Sequence, residues 1–334
     1  MQRYTYPNDL SSHLFYICAI LSRQLYHTYY LSAHFMLTFK ILIDNRKEAN
    51  PAEKNPLISE HALSIFIEYN GIKILCDTGA SSSFMKNAAF MGVDLSNIDF
   101  CFISHGHSDH TGGIVEYMNK VNNKCSIYLS DQIKGKKFHS CRGGKQRDIS
   151  APSLLSAPSQ LKPITGSCQI VPGIFAITPS DYGYPKPIGN KYLTSCAVNN
   201  NSDSAHKGAN SIQECSCAVP DTFSHELALA IATPKGLVIF SPCTHNGIFN
   251  VIESCKEQTG ISNVHAFIGG LHLVDDCETS EQIAHTAKTF MHKYNNAQLF
   301  TGHCTGNIAI NILNEVMPET QFKVFHTGFQ ASLL

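Results

Sequence analysis

The run His105-Gly106-His107-Ser108-Asp109-His110 places four metal-ligating side chains within six residues. Imidazole and carboxylate together suit zinc, and also iron or manganese, better than magnesium or calcium. The run follows the apolar stretch Phe100-Cys101-Phe102-Ile103, which reads as a buried strand ending where ligands must converge. Gly106 is expected to let the backbone turn, so that His105 and His107 face one metal while Asp109 and His110 face a second. A solvated polar loop is the competing reading, and the density of ligating groups disfavours it. Three more histidines, His245, His272 and His303, stand beside glycines after short apolar runs. A lone histidine is more often structural than ligating. Three at successive strand ends, after a double-histidine run, favour one converging metal centre.

The elements that must carry these residues read as hairpins and strand–loop–helix units. Residues 36–44 form a first strand, and 62–69 and 72–77 form a hairpin about Asn70-Gly71 that leads into Asp77-Thr78-Gly79-Ala80. A helix over 81–91 stops at Gly92, and another follows Thr111-Gly112-Gly113 through Ile114, Val115 and Met118. Residues 227–232 and 237–241 form a second hairpin, which ends at Pro242-Cys243-Thr244-His245 before a helix over 248–258. A strand over 264–268 leads to His272, Thr279 and Gln282 cap a helix reaching Tyr294, and a strand over 297–300 leads to His303. Between about 134 and 221 the pattern dissolves into Ser, Pro, Gly, Asn and Lys, with apolar islands such as Ile170 to Ile177. That stretch reads as a loop-rich insertion, a partly ordered flap over the site. Its basic residues Lys134, Lys136, Lys137, Arg142, Lys145 and Arg147 read as a solvated loop ahead of an anion site.

At 334 residues the chain has room for one large domain, expected over 36–334, behind an upstream extension at 1–35. The apolar run Leu14 to Leu21 is cut off from membrane-span length by Arg23, so a membrane anchor is the minority reading. A net charge of −1 gives no global basic field, which argues against nucleic acid as a partner. Thirteen scattered cysteines, with Cys215-Ser216-Cys217 too tight for a zinc ribbon, point to a reducing and hence cytoplasmic setting. The expected partner is a small molecule, with phosphorylated compounds included and self-association left open.

In order, Glu60-His61-Ala62-Leu63-Ser64, the run Ser104 to Gly113, Ser224-His225-Glu226-Leu227, Cys243-Thr244-His245-Asn246-Gly247-Ile248, Gly269-Gly270-Leu271-His272-Leu273 and Thr301-Gly302-His303-Cys304-Thr305-Gly306 resemble one family. It is the metallo-β-lactamase superfamily, whose hallmark is His-x-His-x-Asp-His after a strand. Asp77-Thr78-Gly79 is similar to its short Asp-Thr-Gly turn. Within it, the motifs resemble the branch named for 7,8-dihydropterin-6-yl-methyl-4-(β-D-ribofuranosyl)aminobenzene 5′-phosphate synthase. The likeness runs from about residue 36 to the C-terminus.

The resemblance implies an α/β (α+β) chain folded as an αββα sandwich of two mixed β-sheets flanked by helices. It also implies one or two divalent metal ions at a sheet edge, with zinc first and iron or manganese as alternatives. Carried over, His105 and His107 hold the first metal, and His245 is the best remaining ligand there. Asp109 and His110 hold the second, which His303 completes. Asp109 also serves catalysis by orienting the nucleophile, and His272 contacts substrate phosphate, donates a proton or only braces its loop. His61 and His225 are expected to pack or orient, and Asp77 to orient. Two departures stand out. Cys243 and His245 replace the bridging aspartate expected after 237–241, and Ser130-Asp131 stands where a further histidine is expected. The implied activity is a metal-dependent hydrolase that activates water against an ester or phosphoester of a small molecule. The alternatives are a pterin-related synthase displacing pyrophosphate and a non-catalytic metal-binding or sensory domain. Iron-based oxygen or redox chemistry is disfavoured because no flavodoxin-like region adjoins.

Overall fold

The computed structural model describes residues 36–47, 56–152, 159–198 and 218–334. Residues 1–35 and Cys215-Ser216-Cys217 lie outside the described residues. The first of two seven-stranded sheets contains β1 (Leu37–Ile43), β2 (Ser64–Tyr69), β3 (Ile72–Cys76), β4 (Phe100–Phe102), β5 (Ser126–Ser130), β8 (Leu161–Ile164) and β18 (Gln330–Ser332), in the order β18-β1-β2-β3-β4-β5-β8. The second contains β9 (Cys168–Val171), β10 (Ile174–Ile177), β13 (Ala228–Thr233), β14 (Gly236–Phe240), β15 (Val264–Ile268), β16 (Gln298–Thr301) and β17 (Phe322–Val324), in the order β17-β16-β15-β14-β13-β10-β9. A four-stranded sheet of β6 (Lys136–Ser140), β7 (Arg147–Asp148), β11 (Leu193–Ala197) and β12 (Val219–Pro220) lies outside both.

Each large sheet is antiparallel on one side and parallel on the other. Strands β3, β4, β5 and β8 run parallel, as do β14, β15, β16 and β17. Parallel neighbours need a crossover, and helices supply it. The first sheet uses α1 (Ser83–Phe90), then α2 (Ser108–Thr111) and α3 (Ile114–Lys120), and the second uses α4 (Ile248–Thr259), α5 (Ser280–Lys293) and α6 (Asn307–Val316). Thr279 forms a reciprocal capping box with Gln282, which defines where α5 begins.

Three apolar layers follow. Between the sheets, Phe39 of β1 packs edge-on against Phe240 of β14 and Phe300 of β16, with ring centroids 5.9 and 5.4 Å apart. Outside the first sheet, Phe84, Ala88, Ile114 and Tyr117 cover Phe66, Leu75 and Cys101. Outside the second, Ile252, Ile283, Phe290 and Leu313 cover Leu237, Ile239 and Phe267. Strand β14 is buried along its whole length because Val238 and Phe240 face the other sheet while Leu237 and Ile239 face helices. The architecture is the αββα sandwich that the motifs implied. No described helix is long and apolar enough to cross a membrane.

The structure corrects the expectation of a loop-rich insertion over 134–221. Within it, β8 extends the first sheet, β9 and β10 form a hairpin that extends the second, and β6, β7, β11 and β12 form the small sheet. These strands have two to five residues each and carry many polar side chains, so their sequence lacks the alternation that marks a half-buried strand.

Phe39 is fully buried and joins the two sheets. Phe39→Ala is therefore expected to lower the unfolding free energy by about 3–5 kcal/mol. Denaturant titration checks this, and a loss below about 1 kcal/mol would show that the interlayer contact does not hold the sandwich together.

Candidate metal centre

Parallel strands end at the same edge of their sheet, and the chain places its ligating residues there. Strand β3 ends at Asp77 and β4 runs into Ser104 and His105. Strand β14 leads to Cys243 and His245, β15 to His272 and β16 to His303. Asp77, Thr244, His272 and His303 all have left-handed backbone, with φ of 59, 59, 50 and 48°. Non-glycine residues rarely adopt this, and such strain persists only where the surroundings over-determine it.

Two triads form at this edge. His105, His107 and His245 bring ligating nitrogens within 4.8 Å of one another, and His105 Nε2 lies 3.0 Å from His107 Nδ1. In the second, His110 Nε2 lies 3.0 Å from His303 Nε2, and an Asp109 carboxylate oxygen lies 3.7 and 3.5 Å from those nitrogens. Nitrogens bound to one tetrahedral zinc, each about 2.0–2.1 Å from it, lie about 3.3 Å apart. The observed spacings are close to that. The structure thus brings together the same two sets that the motifs implied.

Four of the five imidazoles have their other ring nitrogen on an anchor, and the fifth, His107, has its Nε2 buried without a hydrogen-bond partner. His105 Nδ1 meets Ser104 Oγ at 2.9 Å, and His110 Nδ1 meets the Asp77 carboxylate at 2.7 Å. His245 Nδ1 meets Asn190 Oδ1 at 3.1 Å, and His303 Nδ1 meets Asn45 Oδ1 at 3.2 Å. His107 Nε2 faces the Asp221 carboxylate at 3.9 Å, which also holds His225 at 3.0 Å. An anchored ring presents a defined nitrogen to the centre, as metal-binding histidines require. His245 Nε2 is buried without any hydrogen-bond partner, an orphaned lone pair that a metal would satisfy. The donor chemistry, the spacings and this orphan fit one or two divalent ions.

Asp77 takes the orienting role expected of it, and also accepts hydrogen bonds from Ser104 N and Oγ. His225 packs on Phe138 and accepts from Gly106 N, so it supports the loop from behind. His61 is exposed at the cleft, with Nε2 3.8 Å from Asp109. Asn45, Asn190 and Asp221 were not anticipated. Asp221 sits four residues before His225 and had that weak signal, whereas Asn190 had none. Gly106 also differs from expectation: its φ is not left-handed, and a Cβ there would lie 2.6 Å from the Phe138 ring. Close approach of β6, and not a turn, requires the glycine.

Cys243 lies between the triads, with Sγ 3.3 Å from His110 Nε2. The loop carrying it packs against the loop carrying Cys304 through Gly270, where a Cβ would meet Cys304 Sγ at 2.4 Å and Pro242 O at 2.9 Å.

A cleft of about 600 Å³ opens onto both triads and is lined by Arg46, Arg142, Arg147, Tyr192 and His272 among others. His272 packs against His245 at 4.3 Å between ring centroids, and its Nδ1 is buried and unpaired. Arg46 donates through Nη2 to Thr305 O and Asn307 Oδ1, while Nη1 has no partner. The α6 N-terminus is already taken, since the Asp275 carboxylate accepts from Asn307 N and Ile308 N. Arg142 and Arg147 line the cleft too, and both are exposed, in keeping with a solvated segment.

Burial pushes the pKa values of His105, His107 and His245 down, aided at His105 and His245 by neighbouring histidines. Burial opposes charge on His303 too, but Asp109, Cys304 and Asp44 outweigh it and raise the pKa to about 9. Burial likewise opposes the Asp109 charge, yet His110, His303 and His107 hold its carboxyl well below the usual range. Burial pushes the Cys243 thiol up. In the metal-free protein, a protonated His303 stands beside Asp109 where a cation would.

The linkage has two limbs. The lowered histidines contribute stability that is complete above their unfolded value of 6.5 and is lost as pH falls towards their folded values. The raised His303 contributes stability present below 6.5 and lost as pH rises through about 9. Metal-free protein is therefore expected to melt highest near pH 6.5 and progressively lower as pH rises towards about 9. Scanning calorimetry across that range checks it; a melting temperature that stays level or rises between pH 6.5 and about 9 would contradict the His303 limb. Asn190→Ala, which frees His245 Nδ1, is expected to weaken metal affinity about 10- to 100-fold. Competition against a chelator measures this, and unchanged affinity would remove Asn190 from the anchoring set.

Residues 60–142 match a family model described as the metallo-beta-lactamase superfamily. Over 316 residues the chain is 29% identical to the 7,8-dihydropterin-6-methyl-4-(beta-D-ribofuranosyl)-aminobenzene-5′-phosphate synthase of Methanocaldococcus jannaschii, covering 86% of this chain and 96% of that protein. It is 24% identical over 301 residues to an uncharacterized protein of the same organism, covering 86% and 97%. The crystal structure of Tm1679, a metal-dependent hydrolase of the beta-lactamase superfamily, shares the fold with a TM-score of 0.68 at 23% identity, covering 88% of this chain and 98% of that one. In its sandwich, its His-x-His-x-Asp-His loop and its strand-end histidines, the chain is similar to the metallo-β-lactamase superfamily, whose fold it shares.

Proposed function

We propose that the chain is a metal-dependent enzyme that hydrolyses an ester or phosphoester bond in a phosphorylated small molecule. The observation that carries this reading is the shared cleft. Arg46, Arg142 and Arg147 line the same space as both triads, and among the described residues no carboxylate lies within ion-pairing distance of any of the three. Guanidinium groups match phosphate oxygens in geometry and charge. Zinc suits the histidine-rich set with a thiol beside it, and iron(II) shares that preference more than manganese does.

His105, His107 and His245 would hold one ion, and Asp109, His110 and His303 the other. Such an ion supplies Lewis acidity and lowers the pKa of water to about 7. Asp109, held ionised by its histidine neighbours, would orient the attacking water by accepting a hydrogen bond from it. His272, with an unpaired Nδ1 on the cleft wall, is placed to hydrogen-bond the substrate or to protonate the leaving oxygen. Arg46 Nη1, buried and without a hydrogen-bond partner, is the donor assigned to a phosphate in this reading.

A second reading rests on the synthase relative, with which most of both chains align. In this reading the amino nitrogen of an aminobenzene partner takes the place of water. A carbon–nitrogen bond forms at the pterin methylene, its carbon–oxygen bond breaks, pyrophosphate leaves and a proton of the amine passes to a base. The same arginines would hold the pyrophosphate.

The experiment pairs metal analysis of protein purified without added metal with two substrate sets. One comprises phosphomonoesters, phosphodiesters, lactones and thioesters, and the other a hydroxymethylpterin pyrophosphate with an aminobenzene ribofuranoside phosphate. Water-dependent turnover that a chelator abolishes supports hydrolysis, and pyrophosphate release that requires the aminobenzene supports the synthase. Metal-loaded protein inert in both sets moves the reading to a binding or sensory domain. On an active substrate, Asp109→Ala is expected to lower kcat by about 10²–10⁴-fold. Arg46→Ala is expected to raise KM for the phosphorylated substrate more than for its unphosphorylated analogue, and equal effects on both would remove the phosphate role.

A further inference from the structure

We propose that Cys243 is itself a metal ligand, a thiolate shared by the two ion positions where relatives with a bridging carboxylate would place an aspartate. The inference rests on the metal reading above and adds a donor to it. Cys243 Sγ groups with His105 and His110, with His245 and His272, and with His303 and Cys304, the ligating atoms of each group lying within 4.8 Å of one another. It therefore reaches members of both triads. It lies 3.3 Å from His110 Nε2, the nitrogen that its Asp77 anchor leaves facing the centre. The residue is 3% exposed, so the thiol has no bulk solvent to turn towards.

Three further observations aim this sulfur inward. Thr244, next in the chain, has left-handed backbone and its hydroxyl donates to Ser241 O, which holds the loop in a tight turn. The adjoining His245 and Asn246 amides both donate to the buried Glu226 carboxylate. The Cys243 carbonyl faces Cys304 Sγ at 3.6 Å, so the backbone oxygen points to the neighbouring loop. His245 Nε2, buried and unpaired in the same group, marks the space between them as one that lacks a cation.

Loading replaces the sulfur–hydrogen bond with two sulfur–metal bonds and releases one proton to solvent, with no change in oxidation state. A thiolate bridge also selects the metal. Sulfur donors favour zinc and iron(II) and disfavour magnesium and manganese.

The test is X-ray absorption at the zinc edge of full-length protein loaded with zinc, combined with elemental analysis. A bridging thiolate predicts two zinc ions per chain and an average of about one sulfur per zinc at about 2.3 Å. Cys304→Ser should keep that shell, and Cys243→Ser should lose it, with zinc affinity at least about tenfold weaker. Circular dichroism shows whether the variants fold; Cys304→Ser separates the bridge from two terminal thiolates, since only the bridge keeps about one sulfur per zinc in that variant. About half a sulfur per zinc would mean a terminal ligand and overturn the bridge. Zinc coordinated by nitrogen and oxygen alone would overturn the proposal while leaving the metal centre standing. Protein that takes up no zinc would overturn both.

Discussion

A neutral imidazole has one nitrogen that donates and one that accepts, and when it is buried each must be given something to face. Five imidazole rings converge at one sheet edge here, all at least 96% buried. The organisation of the site follows from that constraint. For four of the rings the fold provides an anchor on one nitrogen, so that the other is left for the centre. Ser104, Asp77, Asn190 and Asn45 are those anchors, and they come from the first sheet, from the loop after β1 and from the segment before β11, while Asp221 stands 3.9 Å from His107. Without them, neighbouring rings would find each other as hydrogen-bond partners and the donor set would not be defined.

The two triads differ in charge. One is three neutral histidines; the other contains the ionised Asp109, whose field keeps His303 protonated in the absence of metal. The backbone that holds both is strained at Asp77, Thr244, His272 and His303, the residues that follow β3, β14, β15 and β16. Strain of this kind is sustained by packing around it, and the dense layer between the sheets supplies that packing. The interlayer core and the site are thus parts of one mechanical unit.

Work is divided between the sheets. The sandwich edges hold the ligating side chains, while the small sheet and its flanks contribute Arg142, Arg147 and Tyr192 to the cleft wall and Asn190 to the anchors. A scaffold arranged this way can keep its metal chemistry and change its substrate by changing the wall.

The sequence by itself determined the sandwich and which side chains with ligand chemistry meet at its edge. A buried strand followed by His-x-His-x-Asp-His, and later strands each followed by glycine and histidine, are local patterns, and ligand chemistry is a property of residue type. The long apolar strands β2, β13 and β14 and the Thr279 cap were legible for the same reason. The short polar strands of 134–221 were not, because they pair through backbone hydrogen bonds and show little side-chain periodicity. Only the tertiary structure decided which nitrogen each ring presents, why Gly106 is a glycine, and that Cys243 lies between the triads. Asn190 and His245 are 55 residues apart and Asn45 and His303 are 258 apart, separations at which no local pattern operates. Such contacts exist only once the two sheets have closed face to face and brought their strand ends to a common edge.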